Sequence, residues 1–235
     1  MQCWQYDSKV KAGEGSMSVK DLSELRQNYG KGSLQVHDVS ADPLDQFLKW
    51  LDHALQAQVT EPYAMTLATA DGNGRPHART VLLRGADANG FYFYSNYDSQ
   101  KGQDLAANPY AELLFFWPAL EQQVRIHGSV ERISEQESTA YYHKRPRDSQ
   151  IAAHVSTPQS GIIESRELLE QRFADLNHQL EHTTNIEKPV FWGGYCLKPN
   201  SYEFWQGRPN RLHDRLKYIP DSLSDTGWRI ERLMP

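Results

Sequence analysis

Apolar residues recur at helical spacing just after Asp42-Pro43, where an aspartate can cap a helix and a proline suits its first turn. This apolar stripe predicts a helix to about residue 58 that packs on a sheet. It consists of Leu44, Phe47, Leu48, Leu51 and Leu55. Residues 64–69 alternate with a period of two instead, and much of the stretch to residue 133 is rich in β-forming residues. It contains Asp-Gly-Asn-Gly and Asp-Ala-Asn-Gly turns, so it predicts antiparallel strands joined by hairpins.

The whole pattern predicts nine short strands and a few helices. The strands are expected at 64–69, 80–84, 91–95, 111–117, 123–133, 191–197, 201–205, 213–219 and 228–233. After the first helix, we expect helices from Ser99 to before residue 108, from a Ser134–Glu137 capping box to about 143, at a short segment capped by Asp148, and over 164–180. Few strands alternate with helices, which predicts a mainly β, α+β chain: an antiparallel barrel or sandwich with peripheral helices.

Composition narrows the class of protein. The chain has 235 residues and a net charge of −5, and its two cysteines, Cys3 and Cys196, give neither a disulfide framework nor metal-ligand spacing. We expect a cytoplasmic protein with a disordered extension at 1–20 and a single domain at 21–235. No apolar run approaches the roughly 20 residues of a membrane span, and an acidic chain does not favour nucleic acid, so we expect neither a membrane nor a nucleic-acid partner.

Two arginine-rich segments, 145–150 and 205–215, carry the side chains that say most about a functional site. Arginine forks match phosphate oxygens, so local clusters on an acidic chain predict a pocket for a small phosphorylated ligand. Tyr141, Arg145 and Ser149 are four residues apart, and a bend at Pro146 lets them converge. An ordinary capped corner between two helices explains the same segment equally well.

Further cationic positions lie elsewhere. Arg79 and Arg84 fall on opposite faces of one predicted strand, where solvated arginines are the simpler interpretation. Lys101 follows a helix start that suits a phosphate, although an ordinary cap explains it too. Arg211, His213 and Arg215 are predicted to alternate onto one strand face, where they repel one another unless an anion or carboxylate is near.

Trp205 either belongs to the hydrophobic core or places a flat aromatic ring at the edge of a pocket. The sequence contains no nucleophile elbow and no metal motif. We therefore expect an organic cofactor to perform the chemistry.

Together these segments resemble the pyridoxine/pyridoxamine 5′-phosphate oxidase family. The resemblance covers about 25–235 and rests on Arg145 to Gln150, Phe191 to Gly194, Glu203 to Gly207, Arg211 to Arg215 and Glu231 to Pro235. It implies a Greek-key split barrel, built as a homodimer with FMN at the subunit interface. It also implies FMN-dependent oxidation of pyridoxamine and pyridoxine 5′-phosphate at C4′ by O2, giving pyridoxal 5′-phosphate and H2O2. A non-catalytic flavin-binding module and a pyridoxal-phosphate carrier are the alternatives.

The resemblance also implies site residues. FMN contacts are expected from Arg79, Thr80, Val81, Leu82, Leu83, Arg84, Tyr94, Ser95, Lys101, Gln123, Gln159, Ser160, Trp205 and Arg215. The substrate is expected to contact Arg26, Tyr29, Arg84, Tyr141, Arg145, Ser149, Arg211 and His213, of which Arg211 and His213 face the pyridine ring as catalytic residues. The segment Arg26 to Tyr29 matches one that closes over the family's site. The family often carries arginine where this chain has Gln100, and some relatives carry lysine where it has Arg84.

Overall fold

The architecture is known from a computed structural model that describes residues 22, 25 and 27–235. The predicted extension at 1–20 and the predicted site residue Arg26 lie outside the described residues. The helices are α1 (Pro43–Gln56), α2 (Gln100–Ala107), α3 (Glu135–Lys144), α4 (Arg147–Val155) and α5 (Arg166–Gln179). The strands are β1 (Ala64–Ala70), β2 (Pro76–Leu82), β3 (Gly85–Asp87), β4 (Gly90–Asn96), β5 (Tyr110–Trp117), β6 (Gln122–Arg132), β7 (Trp192–Gln206), β8 (Asp214–Pro220) and β9 (Trp228–Arg232).

All nine strands belong to one antiparallel sheet, which confirms the predicted mainly β class with peripheral helices. Its order is β2-β1-β5-β6-β7-β4-β3, and β8 and β9 extend from β7. The β1–β5 and β4–β7 neighbours are distant in sequence, as in Greek-key connections. Strand β7 pairs with β6 along one edge, while its other edge pairs first with β4 and then with β8. The sheet therefore divides where β4 gives way to β8.

The prediction of two separate strands at 191–197 and 201–205 is wrong, because β7 runs through both segments. It is one 15-residue strand. Pro199 cannot donate to a ladder, and it is accommodated because the register of the β6–β7 pairing shifts between His127 and Gly128, opposite Pro199.

Helix α1 is capped by Asp42 as predicted, but its buried face is rotated from the leucine stripe. Phe47, Trp50 and Ala54 are buried, whereas Leu48 and Leu55 are exposed. Phe47 packs 5.0 Å from Phe91 and Trp50 packs 5.3 Å from Phe204, centroid to centroid. These ring contacts fix the helix against the sheet, and all four rings belong to the main core.

Among the helices between β6 and β7, the structure differs from the prediction at the start of α4. The capping box of Ser134 and Glu137 is present, but Asp148 does not cap α4. Pro146 occupies the N-cap position and places Asp148 in the first turn. The apolar side of α5, formed by Leu168, Leu169, Phe173, Leu176 and Leu180, is only half-buried in the single chain.

Candidate active site

A cavity of about 340 Å³, here called the cationic cavity, opens between β2, β4 and the α3–α4 corner. It gathers most of the residues predicted for the cofactor and for the substrate phosphate. Its lining residues are Arg79, Thr80, Val81, Leu82, Arg84, Tyr94, Ser95, Asn96, Lys101, Tyr141, Arg145, Gln159 and Trp192. Leu83 is buried and Ser149 lies in the first turn of α4, and neither belongs to this lining.

Two cations mark one end of the cationic cavity. Arg79 is half-buried on the inner face of β2, contrary to the simpler interpretation of a solvated arginine. Lys101, in the first turn of α2, reaches Ser95 Oγ at 3.1 Å and Ser99 Oγ at 3.3 Å. Burial lowers the pKa of Lys101, and the charge of Arg79 lowers it further. Two neighbouring, partly desolvated cations form a site that favours an anion.

An aromatic stack also lines the cationic cavity. The Tyr94 and Tyr141 rings lie 3.7 Å apart with an interplanar angle of 14°, and Trp192 stacks 5.5 Å from Tyr94. The Arg145 guanidinium lies 4.7 Å from the Trp192 ring centroid. Burial lowers the pKa of Arg145, and its buried Nη1 has no hydrogen-bond partner among the described residues. A buried donor of this kind needs an acceptor, which a bound oxyanion supplies.

The loop after α4 closes the cavity. Gln159 contributes a buried Oε1 with no partner in the described part of the chain. Ser160, at φ 69°, accepts the Gln100 backbone N–H through Oγ at 3.5 Å. The sequence analysis missed two lining residues, Asn96 and Trp192. Both stand at the end of the β4–β7 ladder, where they are paired, and only that pairing reveals their shared position.

A second cavity of about 720 Å³, here called the Trp205 cavity, holds the predicted ring-facing residues. Its lining residues are Leu25, Gln27, Asn28, Tyr29, Trp205, Arg208, Asn210, Arg211 and His213. Tyr29 packs edge-on against Trp205 and His213, each at 5.7 Å. The His213 Nδ1 accepts the Arg208 backbone N–H at 3.1 Å, so the neutral ring carries its proton on Nε2.

The prediction that Arg211 alternates with its neighbours along β8 is wrong. It precedes the strand in a 3₁₀ turn (Pro209–Arg211), and Asn210 and Arg211 have φ values of 59° and 62°. Left-handed backbone at non-glycine residues is costly and concentrates at functional sites. This turn brings the exposed Arg211 to the same cavity as His213.

Arg215 and Gln123 lie on either side of Trp205 in the sheet, outside both cavity linings. Arg215 donates through Nε to Glu203 Oε1 at 2.9 Å and through Nη1 to the Met234 carbonyl at 2.9 Å. Glu203 is therefore the carboxylate partner of Arg215, the member of the predicted trio that lies on β8.

The two cavities lie at opposite ends of β7. Trp192 opens the strand in the cationic cavity, and Trp205 stands next to its last residue in the Trp205 cavity. One chain thus separates the predicted site residues into two groups.

A split antiparallel sheet with a cation-lined, aromatic-walled cavity defines the class of flavin-binding split-barrel proteins. The description "Pyridoxamine 5'-phosphate oxidase" matches residues 51–180, and "Pyridoxine 5'-phosphate oxidase C-terminal dimerisation region" matches 192–235. The chain belongs to the pyridoxine/pyridoxamine 5′-phosphate oxidase family. It is an oxidoreductase by this membership, with a region for homodimer formation.

Individual relatives agree with this assignment. Proteins named "Pyridoxine/pyridoxamine 5'-phosphate oxidase" from Acinetobacter baumannii and Deinococcus deserti are 65% and 53% identical over 217 residues, covering 92% of this chain and 98% and 100% of theirs. The crystal structure of PhzG from Burkholderia lata 383, in complex with tetrahydrophenazine-1-carboxylic acid, is similar at a TM-score of 0.79 and 29% identity, covering 88% of this chain and 100% of that one.

A pyridoxamine 5′-phosphate oxidase-related, FMN-binding protein from Nostoc punctiforme shares the fold at a TM-score of 0.66 and 20% identity, over 84% of this chain and 100% of that one. Across the described residues, none of the helices combines the length and apolarity that crossing a membrane requires.

Proposed function

We propose that this chain is an FMN-dependent oxidase that converts pyridoxamine 5′-phosphate and pyridoxine 5′-phosphate to pyridoxal 5′-phosphate, with O2 as electron acceptor and H2O2 as by-product. The observation that carries the proposal is that one cavity holds two groups of anion-suited donors. Arg79 and Lys101 form the first group, and Tyr141 and Arg145 form the second. A cofactor phosphate accounts for only one group, and a phosphorylated substrate accounts for the other.

The cationic cavity suits a flavin phosphate. Arg79 and Lys101 repel each other and are partly desolvated, so a phosphate between them relieves both costs. The Gln159 Oε1, which meets no donor in the part of the chain that the structure describes, offers an acceptor for a cofactor N–H or O–H group. Bound FMN supplies a two-electron acceptor that molecular oxygen reoxidises.

The remaining polar residues would bind and orient the substrate. Arg145, whose Nη1 has no partner among the described residues, would hold the substrate phosphate together with Tyr141 and Arg84. Fixing this end of the substrate orients the reacting carbon, which can supply much of a rate enhancement. In the Trp205 cavity, Arg211 and the Nε2–H of His213 are the donors for polar groups of the pyridine ring.

A homodimer would complete the site. The donors for the two phosphates and the donors for the ring lie at opposite ends of β7, so one chain does not unite them. In a two-fold dimer, a contact between one end of a protomer and the other end of its partner occurs twice. We infer that FMN lies at this interface, in two equivalent sites, each built from the cationic cavity of one protomer and the Trp205 cavity of the other.

The test is a visible spectrum followed by anaerobic addition of pyridoxamine 5′-phosphate. We expect flavin bands that bleach, then return with H2O2 when oxygen is admitted. An Arg211→Ala variant should keep its flavin and lose turnover, whereas Arg229→Ala, at an exposed pair with Glu231, should behave like the parent protein. Flavin that pyridoxamine 5′-phosphate does not reduce would indicate a flavin-binding module instead, and absence of flavin would contradict the proposal entirely.

A further inference from the structure

A buried carboxylate lies behind the cationic cavity, outside its lining. The side chain of Asp104, on α2, is 1% exposed. Its Oδ2 accepts a hydrogen bond from Thr69 Oγ1 at 2.6 Å and lies 3.0 Å from His77 Nδ1, while its Oδ1 accepts from Gln100 Nε2 at 2.9 Å. Burial pushes the pKa of Asp104 upward, but these hydrogen bonds outweigh burial and hold the pKa below its usual value. The group is therefore an anion at neutral pH.

This anion faces Arg79. The Nη2 of Arg79 lies 3.6 Å from Asp104 Oδ2. Thr69 joins the two residues, because its Oγ1 donates to Asp104 and accepts from Arg79 Nη1 at 2.7 Å. The same Nη1 also meets the Leu67 and His77 carbonyls, each at 3.1 Å. These contacts fix the orientation of the guanidinium before any ligand arrives.

Gln100 adds a donor from α2 to the carboxylate. Its side-chain amide donates to Asp104 Oδ1, one helical turn away. Asp104 therefore collects donors from β1, β2 and α2, and Arg79 is the cation among them that lines the cavity.

We propose that Asp104 is a positioning residue for the cofactor phosphate: it fixes Arg79, through direct contact and through Thr69, in the orientation that grips the phosphate. The inference rests on the proposed flavin function and adds a residue that touches neither cofactor nor substrate. A preorganised guanidinium loses less freedom on binding than a mobile one. Replacing Asp104 should therefore weaken the binding of a flavin that carries the phosphate and not the binding of the flavin ring alone.

The experiment compares FMN with riboflavin, which has the same ring and no phosphate. Apoprotein is titrated with each flavin, and binding is followed by quenching of flavin fluorescence. We expect Asp104→Asn to weaken FMN binding by roughly tenfold or more and to leave riboflavin binding unchanged. In the background of Arg79→Ala, adding Asp104→Asn should weaken FMN binding no further, since the residue acts through Arg79.

Controls separate positioning from folding. Thr69→Val removes only the bridging hydroxyl and should weaken FMN selectively, even where Asp104→Asn does not fold. Asp42→Asn alters a carboxylate that accepts two backbone N–H groups at the distant α1 cap and should change neither affinity. Equal losses of FMN and riboflavin affinity, or no loss in either variant, would overturn the inference while leaving flavin binding intact. A parent protein that binds neither flavin would overturn the proposed function as well.

Discussion

The guanidinium of Arg145 lies over the ring of Trp192, 4.7 Å from its centroid, and this contact joins the α3–α4 corner to the first residue of β7. The ring desolvates one face of the guanidinium and leaves Nη1 without a protein acceptor among the described residues. A cation held in this way is prepared for an oxyanion.

Replacing Arg145 with glutamine should therefore impair substrate binding while the flavin stays bound. Losing a charge-assisted hydrogen bond of about 1.5–3 kcal/mol should raise KM by roughly 10- to 150-fold. Steady-state kinetics and the flavin content of the purified protein measure both effects. Arg147→Gln is the matched control, because Arg147 donates to the Leu180 and Thr183 carbonyls and should affect stability more than KM. Equal KM increases in both variants would contradict the assignment.

Gly194 controls the position of Tyr94. A Cβ at Gly194 would lie 2.7 Å from Tyr94 Cε1 and closer still to Ile133 Cδ1. Gly194→Ala should displace the Tyr94–Tyr141 stack, lower the flavin content and destabilise the fold by about 1–3 kcal/mol. Gly72→Ala, whose Cβ would meet Ala107 at an ordinary 3.6 Å, is the control. Denaturant unfolding and flavin absorbance check the pair, and normal flavin content in Gly194→Ala would show that the stack tolerates the displacement.

His213 should titrate abnormally. Burial lowers its pKa from 6.5, and the neighbouring charge of Arg211 lowers it further. A histidine that releases its proton more readily in the folded state than in the unfolded chain costs stability as pH falls through its unfolded pKa, and costs nothing above that value. Protonation of Nδ1 would also break the hydrogen bond from the Arg208 N–H.

Arg211→Gln should consequently raise the pKa of His213. NMR titration of the histidine ring protons measures it directly, with the exposed His37 as an internal reference. An unchanged or lowered pKa of His213 in the variant would contradict the electrostatic coupling.

Glu121 holds the N-terminal segment that carries Tyr29. Its buried carboxylate accepts the Gly30 and Lys31 N–H groups at 2.7 and 2.9 Å. Both bonds end on Oε2, so Glu121→Gln replaces a charged acceptor with a neutral amide oxygen and should destabilise the segment by about 1.5 kcal/mol. We expect faster tryptic cleavage after Lys31 and a higher KM, because Tyr29 loses its support. Glu131→Gln, at an exposed pair with Lys198, should leave both unchanged. Unaltered cleavage after Lys31 in Glu121→Gln would argue that Glu121 does not hold the segment.

The sequence predicted those features of the fold that depend only on neighbouring residues. The Asp42-Pro43 start of α1 and the Ser134–Glu137 capping box are determined within a few residues, and both are confirmed. The buried face of α1 was not, because leucines lie on both sides and ring packing against Phe91 and Phe204 selects the face. The continuity of β7 through Pro199 depends on a register shift in its pairing with β6, which the sequence of β7 alone does not reveal.

The site residues also fall into those that the sequence could predict and those that it could not. Tyr141 and Arg145 could be proposed from charge and spacing and Arg79 from the family resemblance, and all three line one cavity. Asn96 and Trp192 could not, because only the β4–β7 pairing brings them there. The left-handed turn that presents Arg211 has no signature in Pro-Asn-Arg beyond the asparagine.

The central claim, that each active site combines the cationic cavity of one protomer with the Trp205 cavity of its partner, is tested most directly by subunit complementation. Arg145→Ala and Arg211→Ala chains are co-expressed with different tags. The activity of the mixed dimer population is measured at a substrate concentration well below the raised KM of Arg145→Ala, where each variant alone has little activity. Random pairing makes half the dimers mixed, each with one intact site, so about one quarter of the parent activity should return. If activity stays at the level of the separate variants, both residues serve a site within one chain, and the claim is wrong.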